Sequence, residues 1–157
     1  MAALEPPFID TSILIAGLIE MGDASVATRT ILEAVVAGRL KDVRTAWHCC
    51  LEFYAVATSL PPGLRVSPQV ASQLLKENVL GKMAIEDLPK AARLQCLASA
   101  VTEKVAGGRV YDAHIAETAR AAGAKIVVTD NRRHFVGLMR YGIRVMTATE
   151  FVDEFGL

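Results

Sequence analysis

The chain has 157 residues, 52% of them hydrophobic and 22% charged. That length lies within the roughly 100 to 200 residues usual for one domain, and the composition is unlike the polar, highly charged chains that stay disordered. Its 17 basic and 17 acidic side chains cancel, which excludes a global field that would hold the protein non-specifically against nucleic acid or an anionic membrane. The charge is nevertheless uneven. Residues 105 to 145 carry seven Lys or Arg against three Asp or Glu, and the last twelve residues carry three acids and no base. A nucleic-acid partner is therefore expected to meet a local patch on a single domain spanning 1–157.

Three cysteines, two of them adjacent as Cys49 and Cys50, cannot build a disulfide framework, and no CxxC or Cys/His zinc spacing is present. The longest early apolar run, ILIAGLI at 13 to 19, is too short to span a bilayer and follows no basic segment. A reducing, cytoplasmic setting without a membrane partner is the expectation.

In chain order, PPFID predicts a first strand ending at Asp10. SILIAGLIE and ASVATRTILEAVVAGR read as helices, the second with Val26, Ile31, Leu32, Val35 and Val36 at helical spacing and Gly38 suited to its end. VRTAW at 43 to 47 predicts a second strand, with Trp47 assigned to the core, and HCCLEFYAVATSL an apolar helix that stops at Pro61-Pro62-Gly63. Ser67 followed by Pro68 is a helix start, a hydroxyl cap and then a ring with φ already set, for VSPQVASQLLKENVL. MAIEDL is a weak strand, and Pro89 opens a helix to about Val105. YDAHIAETARAAG is one more helix, closed by Gly123. KIVVT is the clearest strand, β-branched and apolar on both faces, with IRVMT a similar last strand and ATEFVDEF a terminal helix. Strands alternating with helices imply a parallel sheet covered on both faces, and ligands of such sheets bind beyond the carboxyl ends of the strands.

That rule singles out acids. Asp10 follows the first strand and Asp130 follows KIVVT, so both should emerge at one edge. Glu52 lies about one turn into the helix after the second strand, between Leu51, Phe53 and Tyr54, and Asp112 begins the helix before KIVVT. Taken singly, Asp10 and Asp112 also suit helix N-caps, and Asp130 suits an Asx turn. Glu52 has no capping role, and its neighbours predict a buried helix, so it calls for a cation partner. Taken together, the four acids would hold a divalent metal, and an oxygen-rich, thiolate-free site suits Mg²⁺ or Mn²⁺. A water acidified by such an ion can attack a phosphodiester.

The ordered set FIDTS, Glu52 in an apolar helix, RVYDAHIAETAR, VVTDNRRHF and VMTATEF resembles the PIN-domain nucleases over almost the whole chain, and within them the toxins of bacterial and archaeal toxin–antitoxin pairs. The resemblance implies a three-layer α/β/α sandwich with a central parallel sheet of four to five strands. It also implies an Mg²⁺- or Mn²⁺-dependent endoribonuclease that leaves a 5′-phosphate and a 3′-hydroxyl, and a homodimer held inactive by a cognate antitoxin. The family's acids map onto Asp10, Glu52 and Asp112, with either Asp130 or Asn131 as the fourth; Asp130 is preferred by charge. Thr11, Ser12 and Thr129 match hydroxyl positions that line such a site.

Arg132 and Arg133, just past the strand that delivers Asp130, either contact substrate phosphates or form a solvated turn. Arg109 either neutralises Asp112 or meets RNA. His134, His48 and His114 read as surface or packing residues. Three other readings compete. A phosphoacceptor receiver-like domain would need paired acids after strand one and an Asp after a central strand, whereas Asp10 is followed by Thr-Ser and Asp87 sits in a weak strand. A haloacid-dehalogenase-type phosphatase lacks its Asp-x-Asp, because position 12 is Ser. A binding protein could keep the fold with little catalysis.

Overall fold

A computed structural model describes residues 4–157. Its strands are β1 (Pro7–Ile9), β2 (Arg44–Ala46), β3 (Ala84–Glu86), β4 (Ile126–Val128) and β5 (Arg144–Met146). Its α-helices are α1 (Thr11–Leu18), α2 (Val26–Val36), α3 (Trp47–Ala57), α4 (Pro68–Leu75), α5 (Arg93–Thr102), α6 (Arg109–Ala121) and α7 (Ala148–Phe155). The five strands form one sheet in the order β3-β2-β1-β4-β5, and every pair is parallel.

Burial explains how the strands read. All three residues of β1 and of β4 are buried, so these inner strands are continuous apolar runs rather than alternating ones. β3 lies at the sheet edge with no fully buried residue, which is why MAIEDL carries a weak pattern. Pro7 is tolerated in a central strand because it is the first residue, where a missing N–H costs least. It sits opposite Ile126, with Phe8 opposite Val127 and Ile9 opposite Val128.

The chain steps from β1 to β2 to β3 in one direction, then crosses back over to β4 and β5 on the other side of β1. Right-handed crossovers taken in opposite directions put their helices on opposite faces. The packing agrees: α1 packs on α2 and α3, α3 on α4 and α7 on α2, whereas α5 packs on α6. The architecture is thus the three-layer α/β/α arrangement with a five-stranded parallel sheet. Helices α1 and α2 approach closely because Gly17 has no side chain; a Cβ there would collide with Leu32 Cδ1. Phe8, Ile9, Ile13, Leu14, Phe53, Ile115 and Phe151 are completely buried in one continuous core, each stabilising the fold by about 1.5–3 kcal/mol.

Local signals fix several helix ends. Ser67 Oγ accepts from the Val70 N–H with Pro68 at the first helical position, as the Ser-Pro pair predicts. Thr147 and Glu150 cap α7 reciprocally. Other boundaries differ from the sequence reading. The helix after Ser67 widens into a π turn over Lys76–Leu80, and the helix opened by Pro89 begins with a 3₁₀ turn, Lys90–Ala92. α6 starts at Arg109, two residues before Tyr111, which places Asp112 inside the first turn instead of at the cap; the cap residue is Gly108. Trp47, expected in the core, is 43% exposed. α3 turns Cys49, Cys50, Phe53 and Ala57 inward, and Trp47 falls with Leu51 and Tyr54 on the outer side. Among the described residues no helix is long and apolar enough to cross a membrane.

Strand order reverses between β1 and β4, so the loops leaving these two neighbours diverge and open a crevice at their carboxyl ends. Asp10 and Thr129 are the first residues beyond the two strands.

Candidate active site

Asp10 occupies the N-cap position of α1, yet its side chain makes no capping bond. Its backbone is held on both sides: the N–H donates to Val128 O at 3.1 Å, and the carbonyl accepts from Ile13 N at 3.0 Å. The carboxylate turns toward the crevice instead. Its Oδ2 accepts from Thr129 Oγ1 at 2.8 Å and from Ser12 Oγ at 3.0 Å. Those hydroxyls are themselves oriented by the loop after β4, because the Asp130 N–H donates to Ser12 Oγ at 3.1 Å and the Asn131 N–H to Thr129 Oγ1 at 3.0 Å. The TDN segment therefore contributes amides and a hydroxyl to the shell around Asp10, while the Asp130 and Asn131 side chains are exposed.

The second oxygen of Asp10 is different. Oδ1 is buried and has no hydrogen-bond partner, as is Thr11 Oγ1 beside it. Burial pushes the Asp10 carboxyl up from 3.8 to about 6; the Thr129 and Ser12 hydroxyls and the Thr11 amide pull the other way, and the nearby Asp112 charge adds to the rise. A buried carboxylate with one orphaned oxygen and a second carboxylate close by is an arrangement that a cation would relieve. Cys49, which feels the Asp10 charge, is pushed up to about 12 by burial and by that charge, so its thiol is neutral in the metal-free site.

Asp112 reaches the site from the first turn of α6. Its Oδ2 lies 2.7 Å from His134 Nδ1, and both side chains are 21% exposed. Sequence reasoning set His134 aside as a surface or packing residue; in the fold it is bonded to a candidate site acid. No spacing rule joins residues 22 positions apart, and the one available hint was its place in VVTDNRRHF.

Glu52 departs from expectation. Its helix buries the neighbouring Phe53, but Glu52 is half-exposed, and its partner is His48 one turn earlier, Nε2 to Oε2 3.7 Å. His48 stacks on Tyr111 of α6 with ring centroids 5.5 Å apart and meets His114 edge-on at 5.0 Å. This trio fastens α3 to α6. Burial, with His48 next to it, holds His114 below the usual histidine range, partly offset by the Asp87 charge.

The structure therefore surrounds Asp10 with Thr11, Ser12 and Thr129 and places Asp112 near enough for its charge to act on the Asp10 carboxyl, and leaves Glu52 with His48 and Asp130 in solvent. Among the described residues, no group of three or more His, Cys, Asp or Glu side chains is gathered closely enough to form a metal cage. The arginines also separate. Arg132 is ion-paired with Glu150, the capping residue of α7. Arg109 and Arg133 are exposed and make no ion pair among the described residues.

Comparison with known proteins places the chain in a family. A family model described as PIN domain matches residues 7–133, which includes Asp10, Glu52, Asp112, Thr129 and Asp130. Ribonuclease VapC40 of Mycobacterium tuberculosis is 32% identical over 124 residues, covering 78% of this chain and 85% of that protein. Ribonuclease VapC27 of the same organism is 32% identical over 136 residues, 82% and 88% of the two chains. The crystal structure of Mycobacterium tuberculosis VapC20, described as a sarcin-ricin loop cleaving toxin, shares the fold with a TM-score of 0.60 at 15% identity, over 76% of this chain and 85% of that one. With the family model spanning most of its length and curated relatives aligned over more than three quarters of it, this chain belongs to the PIN-domain family.

Proposed function

We propose that the chain is a metal-dependent endoribonuclease, the toxin of a toxin–antitoxin pair, which hydrolyses phosphodiester bonds of single-stranded or looped RNA. The observation that carries the reading is the partnerless Oδ1 of buried Asp10 beside the Asp112 carboxylate. The ribonuclease relatives support the substrate class.

The donor set fits Mg²⁺ or Mn²⁺: hard oxygen ligands, a neutral thiol, and few enough protein ligands for the ion to keep several waters. Asp10 and Asp112 would hold it, and Asp130 and Glu52 would complete the site through water. When bound, the ion acidifies a water and offsets charge on the phosphoryl oxygens. The chain's own work is positioning. Ser12 and Thr129 fix the Asp10 carboxylate, and the loop amides of Asp130 and Asn131 fix those hydroxyls. Arg109 and Arg133, exposed and unpaired among the described residues, serve RNA phosphates, whereas Arg132 is engaged by Glu150.

For the cognate antitoxin and a second copy of the chain, two apolar surfaces offer support. Leu94, Leu97 and Val101 project from α5 at 80%, 59% and 78% exposure, and Trp47, Leu51, Tyr54 and Leu80 line a groove between α3 and the turn after α4. Apolar surface of this kind marks protein partners. A receiver-like role has less support, because Asp87 follows β3, an edge strand.

The test is cleavage of a mixed RNA substrate by the purified chain in Mn²⁺. Cleavage that disappears with chelator and in Asp10→Asn and Asp112→Asn is expected. Undiminished cleavage in chelator, or in either variant, overturns the reading.

A further inference from the structure

Two carboxylates whose charges act on each other face the crevice, and each needs something to hold it. Asp10 is fixed by two hydroxyls. Asp112 stands on the first turn of α6, and the hydrogen bond that the structure gives its side chain comes from His134, on the 3₁₀ turn Arg132–His134 beyond β4. A carboxylate only accepts, so Nδ1 of His134 must carry the proton and donate it to Oδ2. The ring is itself well placed to act as a fixed donor. Its neighbour Phe135 is 1% exposed in the core, and the His134 N–H donates to Asn131 O at 2.9 Å, which anchors the turn at both ends.

We infer that His134 is a positioning residue of the cation site: by donating from Nδ1 to Asp112 Oδ2 it fixes the carboxylate of α6 against the loop that also orders Asp10, leaving the other Asp112 oxygen for the ion. The inference rests on the cation reading above. The same loop thus serves both acids, Asp10 through amides and hydroxyls and Asp112 through an imidazole. A merely structural His134 would tie α6 to the β4 loop and affect stability alone; a positioning His134 sets how tightly the ion binds, as partners that orient metal ligands do.

Isothermal titration of Mn²⁺ into the purified chain separates the two. His134→Leu keeps apolar bulk and removes the donor. His134→Asn keeps a donor nitrogen at the same number of bonds from Cβ as Nδ1. The expected result is Mn²⁺ affinity about 10- to 100-fold weaker in His134→Leu and restored to within about threefold of the parent in His134→Asn, with circular dichroism unchanged in both. Should His134→Leu fail to fold, His134→Asn against His134→Gln gives the same comparison, since the Gln amide nitrogen lies one bond too far. Parent-like affinity in the variant without a properly placed donor, or affinity in His134→Asn as weak as in that variant, overturns the positioning role and leaves the cation site standing. A parent protein that takes up no Mn²⁺ overturns the cation reading and this inference with it.

Discussion

Replacing Asp10 with asparagine should change how the stability of the metal-free protein responds to pH. The Asp10 carboxyl is raised from 3.8 to about 6, chiefly by burial. Between those values the native protein keeps a proton that the unfolded chain has released. Stability is therefore fully present below about pH 4 and is lost as pH rises through about 6. At about 1.4 kcal/mol for each pK unit, the distance from 3.8 to about 6 corresponds to about 3 kcal/mol, a large share of the 5–15 kcal/mol typical of a domain.

Asparagine does not titrate. Its amide nitrogen, standing where Oδ1 has no partner, adds an offset that is the same at every pH. The stability of Asp10→Asn minus that of the parent should therefore grow by about 3 kcal/mol between about pH 4 and pH 8, whatever the offset. Urea unfolding followed by circular dichroism, in chelator, measures it. Two curves that stay parallel within about 0.5 kcal/mol across that range would refute the claim that burial strains an ionised Asp10.

Other consequences are simpler to test. Thr129→Val keeps the shape of a completely buried side chain but removes its bond to Asp10; a loss of about 1.5–3 kcal/mol at pH 8 is expected from the urea midpoint, as for hydrogen bonds to charged groups, and less than about 0.5 kcal/mol would contradict it. Cys49 and Cys50 are buried, with thiols pushed up to about 12 and about 11, and Cys96 is buried and also raised. A colourless-to-yellow thiol reagent at pH 8 should therefore find none of the three cysteines until denaturant is added; rapid reaction of the native protein would contradict their placement. Thr147→Ala removes half of the α7 capping box and should cost about 1 kcal/mol, a fall in Tm of about 2–4 °C for a chain of this length read by thermal melting.

The fold was largely legible because burial on both faces writes inner strands as unbroken apolar runs, and KIVVT and PPFID show it. Edge strand β3 was fainter for the same physical reason, since half of its surface faces away from the core. Where α3 turns its faces was not legible. Cys49, Cys50, Phe53 and Ala57 form one apolar stripe, Trp47, Leu51 and Tyr54 form another, and periodicity alone does not say which meets the sheet. Trp47, whose place at a strand end suggests the core, falls on the outer stripe, and the apolar neighbours of Glu52 suggest a burial that its side of the helix does not provide.

In the candidate site, strand ends pointed to Asp10 and the loop after KIVVT. The contacts that tune the site were illegible because they join distant segments. Thr129 reaches Asp10 across 119 residues and His134 reaches Asp112 across 22. The sequence offers the acid at position 130 as a ligand, yet its backbone amide makes the visible contact and its side chain is exposed.

Diffraction from crystals soaked in Mn²⁺, recorded for the anomalous signal of manganese, tests the central claim most directly. One strong peak is expected at about 2.0–2.2 Å from Asp10 Oδ1 and within bonding distance of Asp112, absent in Asp10→Asn. Crystals with Mn²⁺ bound elsewhere and none between these two carboxylates would contradict it.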